Sequence, residues 1–227
     1  MRRRVTIAAL VMDCLVSPLR VQADQPCEVA PMPCTFEGLP FTLTVVDAET
    51  RQPLADVHAL AEWRIFGPGG RLDGPLMVQD AVSGGDGVLS FPGWGPIQGP
   101  PDGLGIGDDP VITLFKTEYE PLLISNGHPP GTRETQRARR FNQSRQTYAL
   151  ASFRGTPDQW LRHLHGVWLG VAVPRNDQHS LQFREAYRNR LRRISSERHK
   201  FALDQRRFEG FFWHVDRELK LLEEGHR

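Results

Sequence analysis

"VVDAETRQPLADVHALAEW", residues 45–63, holds two runs of alternating apolar residues on either side of a charged, proline-containing link. Read with the preceding "FTLT", the first run places Phe41, Leu43 and Val45 on one face of a strand, because successive side chains of a strand point to opposite sides. The second places Val57, Ala59, Ala61, Trp63 and Ile65 on one face, with His58, Glu62 and Arg64 on the other. One buried and one wet face is the expectation, with His58 solvated. Between the runs, Asp47 and Thr50 can cap a turn through their side chains and Pro53 fixes its own φ.

Working outward, "LMVQD", "VLSFPGW", "VITLFK", "PLLISN" and, after a basic loop, "RQTYALAS" at 145–152 read as further strands. "SGGDG" and the Gly/Pro-rich "GPIQGPPDGLGIGDDP" separate them as turns and loops. Short strands at this spacing point to an antiparallel β-sandwich, here of seven strands over residues 40–152.

The strand ending in "VVDAET", then "QPLADVHALAEW", a Gly-Asp-Gly turn into "LSFPGW", and "VITLFKTEYEPLLISN" together resemble the carboxypeptidase regulatory-like domain. That resemblance covers residues 40–126 and extends toward 152. It implies a transthyretin-like β-sandwich and a non-catalytic accessory module of secreted or periplasmic proteins. Arg51 stands where the family's turn has glycine. Two enzyme families on the same sandwich do not fit. The chain ends in "LLEEGHR" where hydroxyisourate hydrolases end in Tyr-Arg-Gly-Ser, and Tyr119, Tyr148 and Tyr187 lack the His-x-His partner of an intradiol dioxygenase iron site.

Residues 156–227 read as helical. Thr156-Pro157-Asp158-Gln159 combines an N-cap, a proline at the first helical position and a capping-box glutamine. Trp160, Leu164, Val167, Trp168 and Val171 follow as one stripe. A second stripe runs through Phe183, Tyr187, Leu191, Ile194, Phe201, Phe208, Phe212, Val215, Leu219 and Leu222. The expectation is one long helix, with Ser195-Ser196 and Gly210 as bends, packed on its own fold or self-associating.

The net charge of +1 hides an asymmetry. Residues 24–126 carry 4 Lys+Arg against 15 Asp+Glu, net −11, and residues 127–227 carry 20 against 11, net +9. Opposite charge on two units favours docking within or between molecules, over a screening length of about 8 Å at physiological salt. At the N-terminus, Arg2–Arg4, an apolar run and Val21-Gln22-Ala23 read as a secretory signal over residues 1–23, cleaved after Ala23. In residues 24–39, Cys27 and Cys34 then form an even pair, expected as a disulfide stapling an N-terminal arm in an oxidising compartment.

Chemical motifs are sparse. His163 and His165 point to different helix faces, and a zinc site needs three convergent ligands. "GLGIGDDP" lacks a following helix, and neither HExxH nor GxSxG is present. The arginine-rich runs "RETQRARRFNQSR" and "REAYRNRLRRISSERHK" read as solvated or docking surfaces, not as a nucleic-acid site in an exported protein. No cofactor, metal or catalytic residue is assigned. The expected role is a secreted or periplasmic binding or scaffolding module for an unidentified envelope protein or ligand. Trp94, in "FPGWGP", is the candidate anchor of a binding surface, with a plug of the β core as its other reading. A hydrolase site between the two units, built from residues that the sequence does not pair, stays open; converging polar groups around Trp94, Asp108, His163 and His165 would point to it. Self-assembly through the long helix and a peripheral membrane contact stay open as well.

Overall fold

The strand carrying Trp63 is buried on both faces. The computed structural model describes residues 35–100, 104–107, 110–127, 138–168, 180–201 and 206–224. The Cys27–Cys34 pair, the signal segment and Asp108 lie outside them. Eleven strands follow in chain order: β1 (Thr35–Gly38), β2 (Phe41–Asp47), β3 (His58–Phe66), β4 (Leu72–Val82), β5 (Val88–Phe91), β6 (Trp94–Gln98), β7 (Gly105–Ile106), β8 (Val111–Phe115), β9 (Leu122–Ile124), β10 (Ala138–Arg139) and β11 (Thr147–Leu150). Three helices complete the mixed α+β fold: α1 (Pro157–Trp168), α2 (Ser180–Ser196) and α3 (Arg206–Glu224).

The strands form three sheets, ordered β4–β3–β8–β9 with β7 also on β3, β11–β2–β5, and β10–β1–β6. Seven antiparallel strands were expected. The four additional ones lie in stretches read as arm or loop: Thr35–Gly38, the start and the middle of the Gly/Pro-rich segment (β6 and β7), and the basic run. Two pairings are parallel, β11 with β2 and β10 with β1. Strand alternation in sequence says nothing about the direction from which a neighbour returns, so this could not be read locally.

The faces of the two opening strands are as read, but the strands form no hairpin: β2 pairs with β5 and β11, and β3 with β4, β7 and β8, in separate sheets. Val57, Ala59, Ala61 and Trp63 are buried against Phe41, Leu43 and Val45. Trp63 meets Phe41 edge-on at 6.3 Å and Trp94 at 5.2 Å, and Phe41 stacks on Phe91 at 4.6 Å. Trp94 reaches this core because residue 38 is glycine: a Cβ there would lie 2.1 Å from the indole nitrogen.

The opposite face of β3 departs from expectation. His58, Leu60 and Glu62 are all buried, because α2 lies across β3 and β4. His58 is therefore not a solvated histidine. Leu60, between His58 and Glu62 on the face read as wet, was the local sign of a covering layer.

The helical half starts as its capping box requires. The Thr156 N–H donates to Gln159 Oε1 at 2.7 Å, and the Gln159 N–H to Thr156 Oγ1 at 3.4 Å. Trp160, Leu164 and Val167 are buried. The expected single long helix is two. α2 ends at Ser196, a 3-10 turn spans Glu197–Lys200, and α3 begins at Arg206, with Gly210 inside it. The break lets the apolar stripe fold back on itself. Phe183, Tyr187, Leu191 and Ile194 of α2 and Phe208, Phe212, Val215 and Leu222 of α3 are buried in the same core.

Candidate binding groove

Beneath α2 runs a layer of paired polar groups. Arg190 is fully buried; its Nε–H donates to Nδ1 of His58 at 3.0 Å, and its Nη2 donates to the carbonyls of Thr113 at 2.7 Å and His58 at 3.3 Å. With Nδ1 accepting, the His58 proton sits on Nε2, which donates to Asp80 Oδ2 at 3.2 Å. Asn189 donates to the same oxygen at 3.0 Å. Glu62 accepts from the Tyr187 hydroxyl at 3.0 Å and from Arg64 at 2.8 Å.

Burial, reinforced by the Arg190 charge, pushes the His58 imidazole down to about 4, against the pull of Asp80. Burial alone would raise the Asp80 carboxyl; hydrogen bonds from His58 and Asn189 outweigh it and hold the group below its usual range. Burial, together with the Glu62 charge, raises the Tyr187 hydroxyl. His58 and Asp80 are thus committed to holding α2 on the sheet. Arg190 was legible as an anomaly, since it lies three residues after Tyr187 and four before Ile194, on the apolar stripe.

A second polar knot joins all parts at the end of α2. Glu197, 1% exposed, accepts from the Trp160 indole at 2.9 Å and from the Thr117 hydroxyl, and pairs with Lys200 at 3.2 Å. Lys200 also reaches Glu118 at 3.6 Å and lies 5.7 Å over the Trp160 ring. Ion pairs join the two oppositely charged halves here, at Lys200–Glu118, and at Arg193–Asp56, 2.9 Å, and Arg154–Glu49. Of the second arginine-rich run, Arg192 pairs with Glu223 and Arg198 with Asp216.

Beside this knot, where the start of α1 meets the segments around Glu49, Glu120 and Ser152, an open groove of about 670 Å³ is lined by Glu49, Glu120, Ser152, Phe153, Arg154, Gly155, Gln159, Arg162 and His163. Its volume falls within the roughly 300–1,000 Å³ of ligand pockets. A recess of about 190 Å³ adjoins it across Phe153 and Gly155, walled by Pro157, Trp160, Phe201 and the Glu118–Lys200 pair. Arg154 and Glu49 neutralise one another. Among the described residues, Arg162 and Glu120 have no ion-pair partner.

Of the residues read from sequence, only His163 lines the groove, edge-on to Phe153 at 5.4 Å. His165 packs on Trp168 at 5.3 Å and Phe211 at 5.8 Å, on another face of α1. Trp94 is 9% exposed and plugs the β core, which leaves little of its indole for a partner. The residues missed are Glu49, Glu120, Ser152, Arg154 and Arg162; they come from separate segments, and no local spacing links them. No group of three or more His, Cys, Asp or Glu that could hold a metal occurs among the described residues. No described helix is long and apolar enough to cross a membrane.

No family model and no curated protein matches the chain. The functional reading rests on the groove and the layer beneath α2.

Proposed function

We propose that the chain is a non-catalytic binding and scaffolding module of the cell envelope, secreted or periplasmic, that binds through the groove between its β half and α1. The observation carrying this reading is the groove itself: Arg162 and Glu120, without an ion-pair partner among the described residues, face an open cleft of ligand size, built on a helix start that is capped and anchored. Rigid walls with a few unsatisfied polar groups are what a preformed recognition site requires.

The β half is proposed as a transthyretin-like sandwich of the carboxypeptidase regulatory-like kind. Arg51 supports it, because its φ is +61°, the left-handed conformation for which the family's turn uses glycine. The turn is held by Asp47, which accepts from the Glu49 N–H at 2.9 Å, the Thr50 N–H at 2.7 Å and the Tyr119 hydroxyl at 2.9 Å.

One observation favours a hydrolase as the second reading: Ser152, His163 and Glu120 line the same groove. Among the described residues no hydrogen bond joins Ser152 to His163, and nucleophilic activation needs that contact in the working complex. The two readings separate in one experiment. Purified protein and its Arg162→Glu variant are assayed for capture of fractionated envelope components, and for turnover of an ester and peptide substrate panel. Capture lost in the variant, without turnover, supports the module. Turnover abolished by both Ser152→Ala and His163→Ala overturns it.

A further inference from the structure

The groove is not uniformly polar. Along one wall, α1 presents the free amide hydrogens of Gln159, the Arg162 guanidinium and the His163 ring, spaced three and four residues apart. These are donors, and a carboxylate is the complementary acceptor. The other side contributes Glu120, an exposed carboxylate with no ion-pair partner among the described residues, which complements an ammonium. Beyond Phe153 the recess is walled by Pro157, Trp160 and Phe201, and its 190 Å³ is too small for a whole ligand of the usual kind. It suits a single ring, which would lie against half-buried Phe153, with Trp160, buried under Lys200 and Phe115, forming only the floor.

We infer that the groove takes a short peptide with free termini and an aromatic side chain: its carboxylate on Arg162 and His163, its ammonium toward Glu120, its ring in the recess beside Trp160. This rests on the groove being the binding surface proposed above. It goes further by naming the chemistry of the occupant. A neutral sugar would leave Arg162 and Glu120 unanswered, and a polyanion would meet Glu120 and Glu49 as like charges.

The test is calorimetric titration of the full chain with the tripeptide Ala-Ala-Phe. The arms are its C-terminal amide, its N-acetylated form, tri-alanine and free phenylalanine. Each chemical deletion is expected to weaken binding about tenfold or more, the scale of one charge-assisted hydrogen bond or one buried ring. Arg162→Ala should abolish the difference between free acid and amide, and Glu120→Gln the difference between free and acetylated amine. Both residues are exposed, so neither change should disturb folding; unchanged tryptophan fluorescence checks that. Equal binding of all four peptides, no binding of any, or differences that persist in both variants would overturn the inference. If Ala-Ala-Phe fails while envelope capture still depends on Arg162, the inference alone falls. If both fail, the module reading falls with it.

Discussion

Arg190 of α2 and His58 of β3, 132 residues apart in the chain, meet in a hydrogen bond of 3.0 Å between two fully buried side chains. The guanidinium supplies the donor that the neutral imidazole needs, and its Nη2 reaches two main-chain carbonyls, while Nη1 is buried without a partner among the described residues. Removing it strips a hydrogen bond from His58 Nδ1 and from those two carbonyls. Arg190→Ala is expected to destabilise the fold by about 1–3 kcal/mol, the cost of leaving the buried His58 acceptor unsatisfied. The midpoint of urea unfolding measures this, and a loss below about 1 kcal/mol would mean that α2 is held by its apolar stripe alone.

Burial of His58, reinforced by the Arg190 charge, makes stability fall in mild acid. His58 titrates at about 4 in the fold against 6.5 when free, so the unfolded chain takes up the proton first. Its contribution is complete above pH 6.5 and is lost as pH falls toward 4. Between pH 7.5 and pH 5 the loss should reach about 2 kcal/mol. In His58→Asn the total stability is lower, and the slope of stability against pH over this interval should flatten. A slope unchanged by the substitution would assign the acid sensitivity elsewhere.

Arg51 occupies a left-handed conformation that costs a residue with a side chain about 1–2 kcal/mol. Arg51→Gly removes that strain and adds unfolded-state entropy worth about 0.5–1 kcal/mol. A net stabilisation of about 0.5–1 kcal/mol is expected, visible as a rise in Tm, whereas Arg51→Val should lower it. A fall in Tm for the glycine variant would contradict the turn as described.

Trp63→Ala and Trp94→Ala should each cost about 3–5 kcal/mol by emptying the aromatic cluster between the sheets. His58→Ala is expected to be destabilising too, since both faces of β3 are covered. Trp94→Ala should leave peptide affinity unchanged at temperatures where the variant is folded. Lost affinity with intact stability would return Trp94 to the binding surface.

Local rules made the elements legible. Alternation placed Leu43, Val45, Ala59 and Trp63 on the core side, and the capping box at Thr156 and Gln159 located the start of α1. Both signals depend on neighbours within a few residues, so no knowledge of the fold was needed. Only the tertiary structure decided what covers the other face of β3. Leu60 hints that this face is covered, but nothing local says by what, and His58 acquired its partners from a helix far along the chain. The bend at Ser195-Ser196 was legible, and α2 ends there; that the chain folds back at this point was hidden, because an apolar stripe continues in phase across the turn, and Gly210 brings no break. The groove was the least legible feature. Glu49, Glu120, Ser152 and Arg162 carry no mutual spacing; the packing of α1, anchored through Trp160 on Glu197, brings them to one cleft.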